Sequence, residues 1–352
     1  MKKLFAFILP LIFLSAGCSL FGQTGSAGLA KTVNGGVDWV LANKLSEGTG
    51  NLANANISTL AVSPNNHETV YAGSYNGGLF ISADSGGSWK NILSKISVYD
   101  FAVNPADPNT IYAAGDYGGL GKVLKTTDGG KSWLQKYNEA AAATPVRSLA
   151  LNPQNLNQIV IGTESGNVII SDDGGDSWRL VKNFGSRISR VYWTNAGVYV
   201  LVRSGGLYKG SGAADDFAAV SKPLKDQSLL NQFANPGAVK VFNQAYIDPF
   251  SPNLLYITTD RGLYKSTDGG NTYAAVKLPV KQEDINPRPV VVSRQSSNIV
   301  LTASGGTVYK STDGGNSFQT QSVPFVNGFV NYILVDPILP QIMYAGGYII
   351  TQ

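Results

Sequence analysis

One eight-residue pattern recurs five times in this chain: SADSGGSW at 82–89, TTDGGKSW at 126–133, SDDGGDSW at 171–178, STDGGNTY at 266–273 and STDGGNSF at 311–318. A repeat spread along a chain constrains its fold more than any single motif, because every copy must build the same unit. Around each copy the pattern is longer than the box. The first unit reads STLAVSPNNHETVYAGSYNGGLFISADSGGSWKNI, four short apolar runs separated by turn residues, with no helical period. That is a four-stranded antiparallel meander.

Two weaker copies complete the series. LYKGSGAADDFAAV at 207–220 aligns with LYKSTDGGNTYAAV at 263–276, and TVNGGVDW at 32–39 keeps the glycines and the tryptophan but has Asn34 for the aspartate. The closing aromatics are Trp39, Trp89, Trp133, Trp178, Phe217, Tyr273 and Phe318. They stand about 40–55 residues apart, the length of a propeller blade. The C-terminal stretch NYILVDPILPQIMYAGGYIITQ supplies the first strands of a unit, and the N-terminal TVNGGVDWVL supplies a box and a last strand. Together they make one blade, so the reading is all-β, a single seven-bladed propeller over 31–352 closed by both ends of the chain. A closed ring leaves no large sheet edge exposed.

The repeat resembles the Asp-box, or BNR, repeat of bacterial sialidases, sortilin-type receptors, oligoxyloglucan hydrolases and the photosystem II stability/assembly factor family. The resemblance implies the propeller fold and leaves the function open, because those families use one scaffold differently. The photosystem II assembly-factor type is the nearest in size. Within each box, Asp84, Asp128, Asp173, Asp268 and Asp313 are expected to accept hydrogen bonds inside the turn between the third and fourth strands. The aromatics Trp89, Trp133, Trp178, Tyr273 and Phe318 are expected to pack between neighbouring sheets. The spacing lacks the alternating carboxylates of a calcium loop, so no metal and no cofactor is assigned.

Before the repeats, Lys2-Lys3, the run LFAFILPLIFL and the small residues before Cys18 read as an export signal. They resemble a bacterial lipobox, with Leu14 four places before the cysteine. The expectation is a lipoprotein signal peptide over 1–17, a lipidated Cys18 with a flexible tether over 18–30, and an extracytoplasmic, membrane-anchored protein. Cys18 is the one cysteine, which leaves no thiol for a disulfide. A net charge of +4, with 14% of residues charged and no basic run, excludes nucleic acid as a partner.

If the first strand of each unit is innermost, the turns between strands two and three share a face with the blade-to-blade connections. That face gathers six of the eight arginines: Arg147, Arg187, Arg190, Arg203, Arg261 and Arg288. Alignment puts Arg147, Arg190 and Arg288 in one column at the start of three inner strands, converging on a central basin. Tyr75 and Tyr117, in the loops GSYNGG and GDYGGLG, join them as candidate partner-binding residues. Arginine's planar fork suits carboxylates, so the ligand expected is a protein partner with an acidic surface, bound by a monomer.

A sialidase also gathers three arginines, but its Phe/Tyr-Arg-Ile-Pro segment has no counterpart here; Asn286-Pro287-Arg288-Pro289 is not one. A glycosidase needs two paired carboxylates. Asp100, Glu164, Asp260, Glu283 and Asp284 fall on the right face with nothing pairing them. No catalytic residue is assigned, and a carbohydrate-active propeller, glycoside hydrolase or sialidase-like, is kept as the alternative.

Overall fold

The computed structural model describes residues 27–47, 51–221, 224, 239–281 and 285–349. Its strands form seven four-stranded antiparallel sheets, each an up-and-down meander. Blades one to six span 57–93, 97–138, 146–183, 188–219, 242–276 and 290–322. Blade seven takes its two inner strands from Gly328–Val335 and Met343–Ile349 and its two outer strands from Leu29–Thr32 and Val40–Leu41. The first strands touch one another in turn around the axis, so the inner strand of each blade is the first. The chain is a seven-bladed β-propeller.

Ring closure rests on the pairing of Leu29 with Gly346 and Thr32 with Met343. This strand starts at Leu29, not near Lys31, and Ala27, Leu29 and Ala30 are fully buried. The end of the stretch read as tether, 27–30, therefore belongs to the propeller. Its small polar composition hid a strand whose apolar residues are supplied by Leu29 and Ala30. Cys18 and the stretch read as an export signal lie outside the described residues.

Each intact box is one hydrogen-bonded knot. Around Asp313, the Ser311 hydroxyl donates to Oδ1 at 2.7 Å, the Ser317 amide to Oδ1 at 2.9 Å and the Ser317 hydroxyl to Oδ2 at 2.6 Å. The Ser311 hydroxyl also accepts the Gly315 amide at 2.8 Å. The same contacts recur around Asp84, Asp128, Asp173 and Asp268. The glycines are needed by shape: Gly269 and Gly270 have φ of 72° and 93°, and a Cβ on Gly270 would lie 2.3 Å from the Val220 carbonyl.

The aromatic that ends a box ties its blade to the one before. The indole N–H of Trp89 donates to the Ala42 carbonyl, that of Trp133 to Ile92 and that of Trp178 to Lys136, while the Tyr273 hydroxyl donates to Val220. Phe318 has only its ring to offer and packs against the cluster at the blade five–six junction. A second tie runs the other way: Tyr112, Tyr256 and Tyr344 donate their hydroxyls to box carbonyls of the next blade, Gly174, Gly314 and Ser85. The boxes and their aromatics build the ring.

Hydrogen bonds to the ionised side chains hold the box carboxylates acidic. The Thr272 and Ser317 hydroxyls, then the amides of the same residues, bring Asp268 and Asp313 down to about 2; Asp128 and Asp173 are lowered in the same way. A carboxyl more acidic folded than unfolded contributes stability above its unfolded pKa and loses it as pH falls through the folded value. Melting temperature is therefore expected to hold above pH 4 and to fall between pH 4 and pH 2. Asp313→Asn should flatten part of that fall; an identical pH profile for the variant would separate box ionisation from stability.

Candidate functional site

A β-bulge at the head of the inner strand builds the site. In six blades the pairing between first and second strands slips by one residue near its start, as between Val146 and Ser148 or Ile188 and Arg190. The extra residues are Ser58, Tyr99, Arg147, Ser189, Asn243 and Asn331, and all six line one concave basin on the axis. A bulge leaves its extra residue outside the ladder and re-aims the side chain. Blade six contributes Arg288, which stands two residues before Val290 as Arg147 stands two before Leu149. The turns between second and third strands add Tyr75, Arg203 and Asp260 to the rim, and the blade connections add Arg187 and Asn286.

The basin, of about 490 Å³, has two unlike walls. Tyr348, Tyr75 and Tyr99 form one, with ring centroids 5.9 Å and 5.0 Å apart along the series. Arg147, Arg187 and Arg203 of blades three and four form the other, and Arg288 enters from blade six. Arg147 lies between them, its guanidinium 4.3 Å from the Tyr99 ring centre and hydrogen-bonded to Glu164. The Arg187 Nε is 3.6 Å from the same Glu164 oxygen and makes no hydrogen bond. Burial first, and then the Arg147 cation, lowers the Arg187 pKa. Arg203 and Arg288 have no carboxylate partner among the described residues; Arg288 leans over the Phe329 ring at 5.9 Å.

Arg190 differs from the reading that grouped it with Arg147 and Arg288. It stands one position later, immediately before Val191, because the extra bulge residue of blade four is Ser189. Its Nη1 lies 2.8 Å from Asp100 Oδ1, and its guanidinium sits 5.2 Å from the Tyr332 ring centre at the floor of the basin. Asp100 also accepts the Ser148 hydroxyl at 2.7 Å and the Leu149 amide at 3.0 Å, while Ser148 accepts the Val191 amide. Burial works most strongly against the Arg190 cation, but the Asp100 carboxylate with Tyr332 and Tyr192 together outweigh it and the pKa is raised. Arg190 thus ties three inner strands together.

The remaining candidates are dispersed. Arg261 follows Asp260 in the turn but does not line the basin, and its Nε is buried without a partner. Tyr117 stands out on its turn, 47% exposed, with Lys122 over its ring. Of the carboxylates, Asp100 and Glu164 are engaged as described, and Asp260 Oδ1 accepts the Lys240 and Val241 amides. Glu283 and Asp284 lie outside the described residues. Of the tyrosine wall, sequence reasoning named Tyr75 but missed Tyr99 and Tyr348, which read as ordinary strand residues until the bulge and the axis place them.

Fold and site together define a seven-bladed Asp-box propeller with an arginine- and tyrosine-lined axial basin. The sequence profile of the Sortilin-Vps10 family, described as sortilin, neurotensin receptor 3, matches residues 77–211. No curated protein matches the chain in sequence. Among solved structures it is similar to YCF48 from Cyanidioschyzon merolae, at 14% identity and a TM-score of 0.64, over 91% of this chain and 99% of that one. It is also similar to a YCF48 structure bound to D1 peptide, at 16% identity and a TM-score of 0.61, over 84% of this chain and 93% of that one. The GH74 xyloglucanase from Xanthomonas campestris gives 16% identity and a TM-score of 0.64, over 84% of this chain. This chain spans about half the length of that hydrolase, 51%. At these identities the likeness is one of fold.

Proposed function

We propose that this chain is a non-catalytic binding or assembly propeller, held to an extracytoplasmic membrane surface through Cys18, that takes an acidic segment of a protein partner into the axial basin. One observation carries the reading: Arg203 and Arg288 face the basin without a carboxylate partner among the described residues. A concave, partly desolvated site screens charge less than open surface does, so such guanidinium groups favour an incoming carboxylate. The tyrosine wall opposite gives an extended segment an apolar face to lie on. A propeller of similar fold has been solved with a peptide bound, which supports a peptide as the kind of ligand.

The test is a titration with a fluorescent acidic peptide. Affinity is expected to fall as salt rises. Arg203→Ala and Arg288→Ala should each cost about 1.5–3 kcal/mol, roughly ten- to a hundredfold in affinity, while Arg179→Ala on an outer strand leaves it unchanged. Equal affinity across all three variants would remove the basin as the binding site. For the anchor, Cys18→Ala is expected to move the protein from the membrane to the soluble fraction; identical partition of variant and wild type would end the lipoprotein reading.

A carbohydrate-active propeller has the tyrosine wall in its favour, since sugar rings pack on aromatic faces. Hydrolysis needs two carboxylates across the substrate, and Asp100, Glu164 and Asp260 are each engaged with protein groups. Release of a fluorophore from a sialoside or a xyloglucan oligosaccharide by the wild-type protein would overturn the non-catalytic reading.

A further inference from the structure

Exposed aliphatic side chains are unevenly shared among the blades. Blade seven presents Val33, Val37, Val40 and Leu41 at 60%, 80%, 62% and 47% exposure, with Ile338 at 56% in its first turn. Blade three has Leu180 as its one large apolar residue exposed to this degree, and blade two has Leu134 and Tyr117. At the places of Val33, Val37, Val40 and Leu41, the preceding blade six carries Thr312, Asn316, Gln319 and Thr320. Both residues of the short outer strand of blade seven, Val40 and Leu41, are exposed, as are the first two of the outer strand in blade six. The one carboxylate in the stretch, Asp38, is held by the Asn34 amide at 2.9 Å.

The same blade receives the chain from Cys18. Ala27 is held against it by close contact with Gly347, whose amide donates to the Gly28 carbonyl, and its own amide donates to Ala53 in the connection to blade one. Ala27 stands nine positions after Cys18, a reach of at most about 30 Å. Acyl chains on Cys18 would therefore keep blade seven, rather than any other, beside the bilayer. Apolar side chains held at that distance from a lipid surface gain by leaving water.

We infer that the outer edge of blade seven lies on the lipid bilayer, with Val33, Val37, Val40 and Leu41 as its contact. The inference rests on lipidation of Cys18. It sets the propeller edge-on, with the axis along the membrane plane, so that a partner reaches the basin from the side.

The test uses full-length protein, purified from a host that acylates it and reconstituted in phosphatidylcholine–phosphatidylglycerol vesicles. Single cysteines at Val37, Leu180 and Tyr117 carry an environment-sensitive dye, and Val40→Cys serves as a second probe of the edge. With Cys18 acylated, each chain takes one label. The dye at Val37 and at Val40 is expected to shift to the blue and lose iodide quenching several-fold on vesicles, while those at Leu180 and Tyr117 behave as in detergent-free solution. A shift at Tyr117 instead would put the basin face on the membrane and overturn the proposal. Shielding of Val37 without lipid would assign the edge to a second copy of the chain, and an unchanged Val37 dye would assign it to solvent; either overturns it while leaving the anchor in place. Two labels per chain would show Cys18 free and overturn the anchor and this proposal together.

Discussion

Arg190→Ala is expected to lower stability by about 3–5 kcal/mol, the cost of stranding one partner of a buried ion pair. The side chains of Arg190 and Asp100 are 15% and 6% exposed. Removing the guanidinium leaves the Asp100 carboxylate beneath Tyr332 with only the Ser148, Leu149 and Phe101 donors. Denaturant melts read the loss directly. Changing both partners, Arg190→Met with Asp100→Leu, should recover a large part of it, because no charge is then left buried. If Arg190→Ala melts like wild type, the pair contributes nothing and Arg190 returns to the list of free basin cations. The folded fraction should still bind an acidic peptide, which is the outcome a ligand-binding role for Arg190 would not allow.

Trp89→Ala should cost about as much, roughly 3–5 kcal/mol, by cavity formation in the core between blades seven and one. Trp89 is fully buried, packs in the cluster that includes Leu29, Leu52 and Tyr344, and donates its indole N–H to Ala42 at 2.8 Å. Trp89→Phe keeps most of the apolar contact and strands the Ala42 carbonyl, so about 1–2 kcal/mol is expected. Equal losses for the two substitutions would assign the effect to the hydrogen bond alone. Because this junction holds the two ends of the chain together, Trp89→Ala should also make residues 27–47 the first to exchange amide hydrogens.

The repeat made the ring legible before any coordinates: blade number, strand order and closure all follow from where the boxes and their aromatics fall. Asn34 in the weak box of blade seven does the work of the missing aspartate, accepting the Thr32 hydroxyl and the Asp38 amide. Blade four solves the same problem from the other end: Asp216, four places after Gly212, accepts the Ser211 amide. Neither substitution could be priced from spacing, but both kept the aromatic that marks the unit. The basin was legible only in part. Counting along the strand cannot register an extra bulge residue, and one residue decides whether Arg190 joins Arg147 and Arg288 or sits beneath them. Tyr99 escaped notice for the same reason, and the Leu29 strand because its neighbours are glycine, alanine and serine.

Closure of blade seven also sets an order of events. The strand Leu29–Thr32 is made long before its partner Met343–Ile349. Six blades can pair locally while the chain is still emerging, since their strands are neighbours in sequence, but the seventh joins segments more than three hundred residues apart. Until that join forms, Leu29–Thr32 has no inner strand to pair with and the first and last blades present open flanks, the kind of edge that invites proteolysis or misassembly. A chain stopped short of Met343 could never complete the circle. The final pairing is thus a built-in check that synthesis has run through Met343–Ile349, and only a chain that has passed it brings the seven heads of its inner strands around one basin.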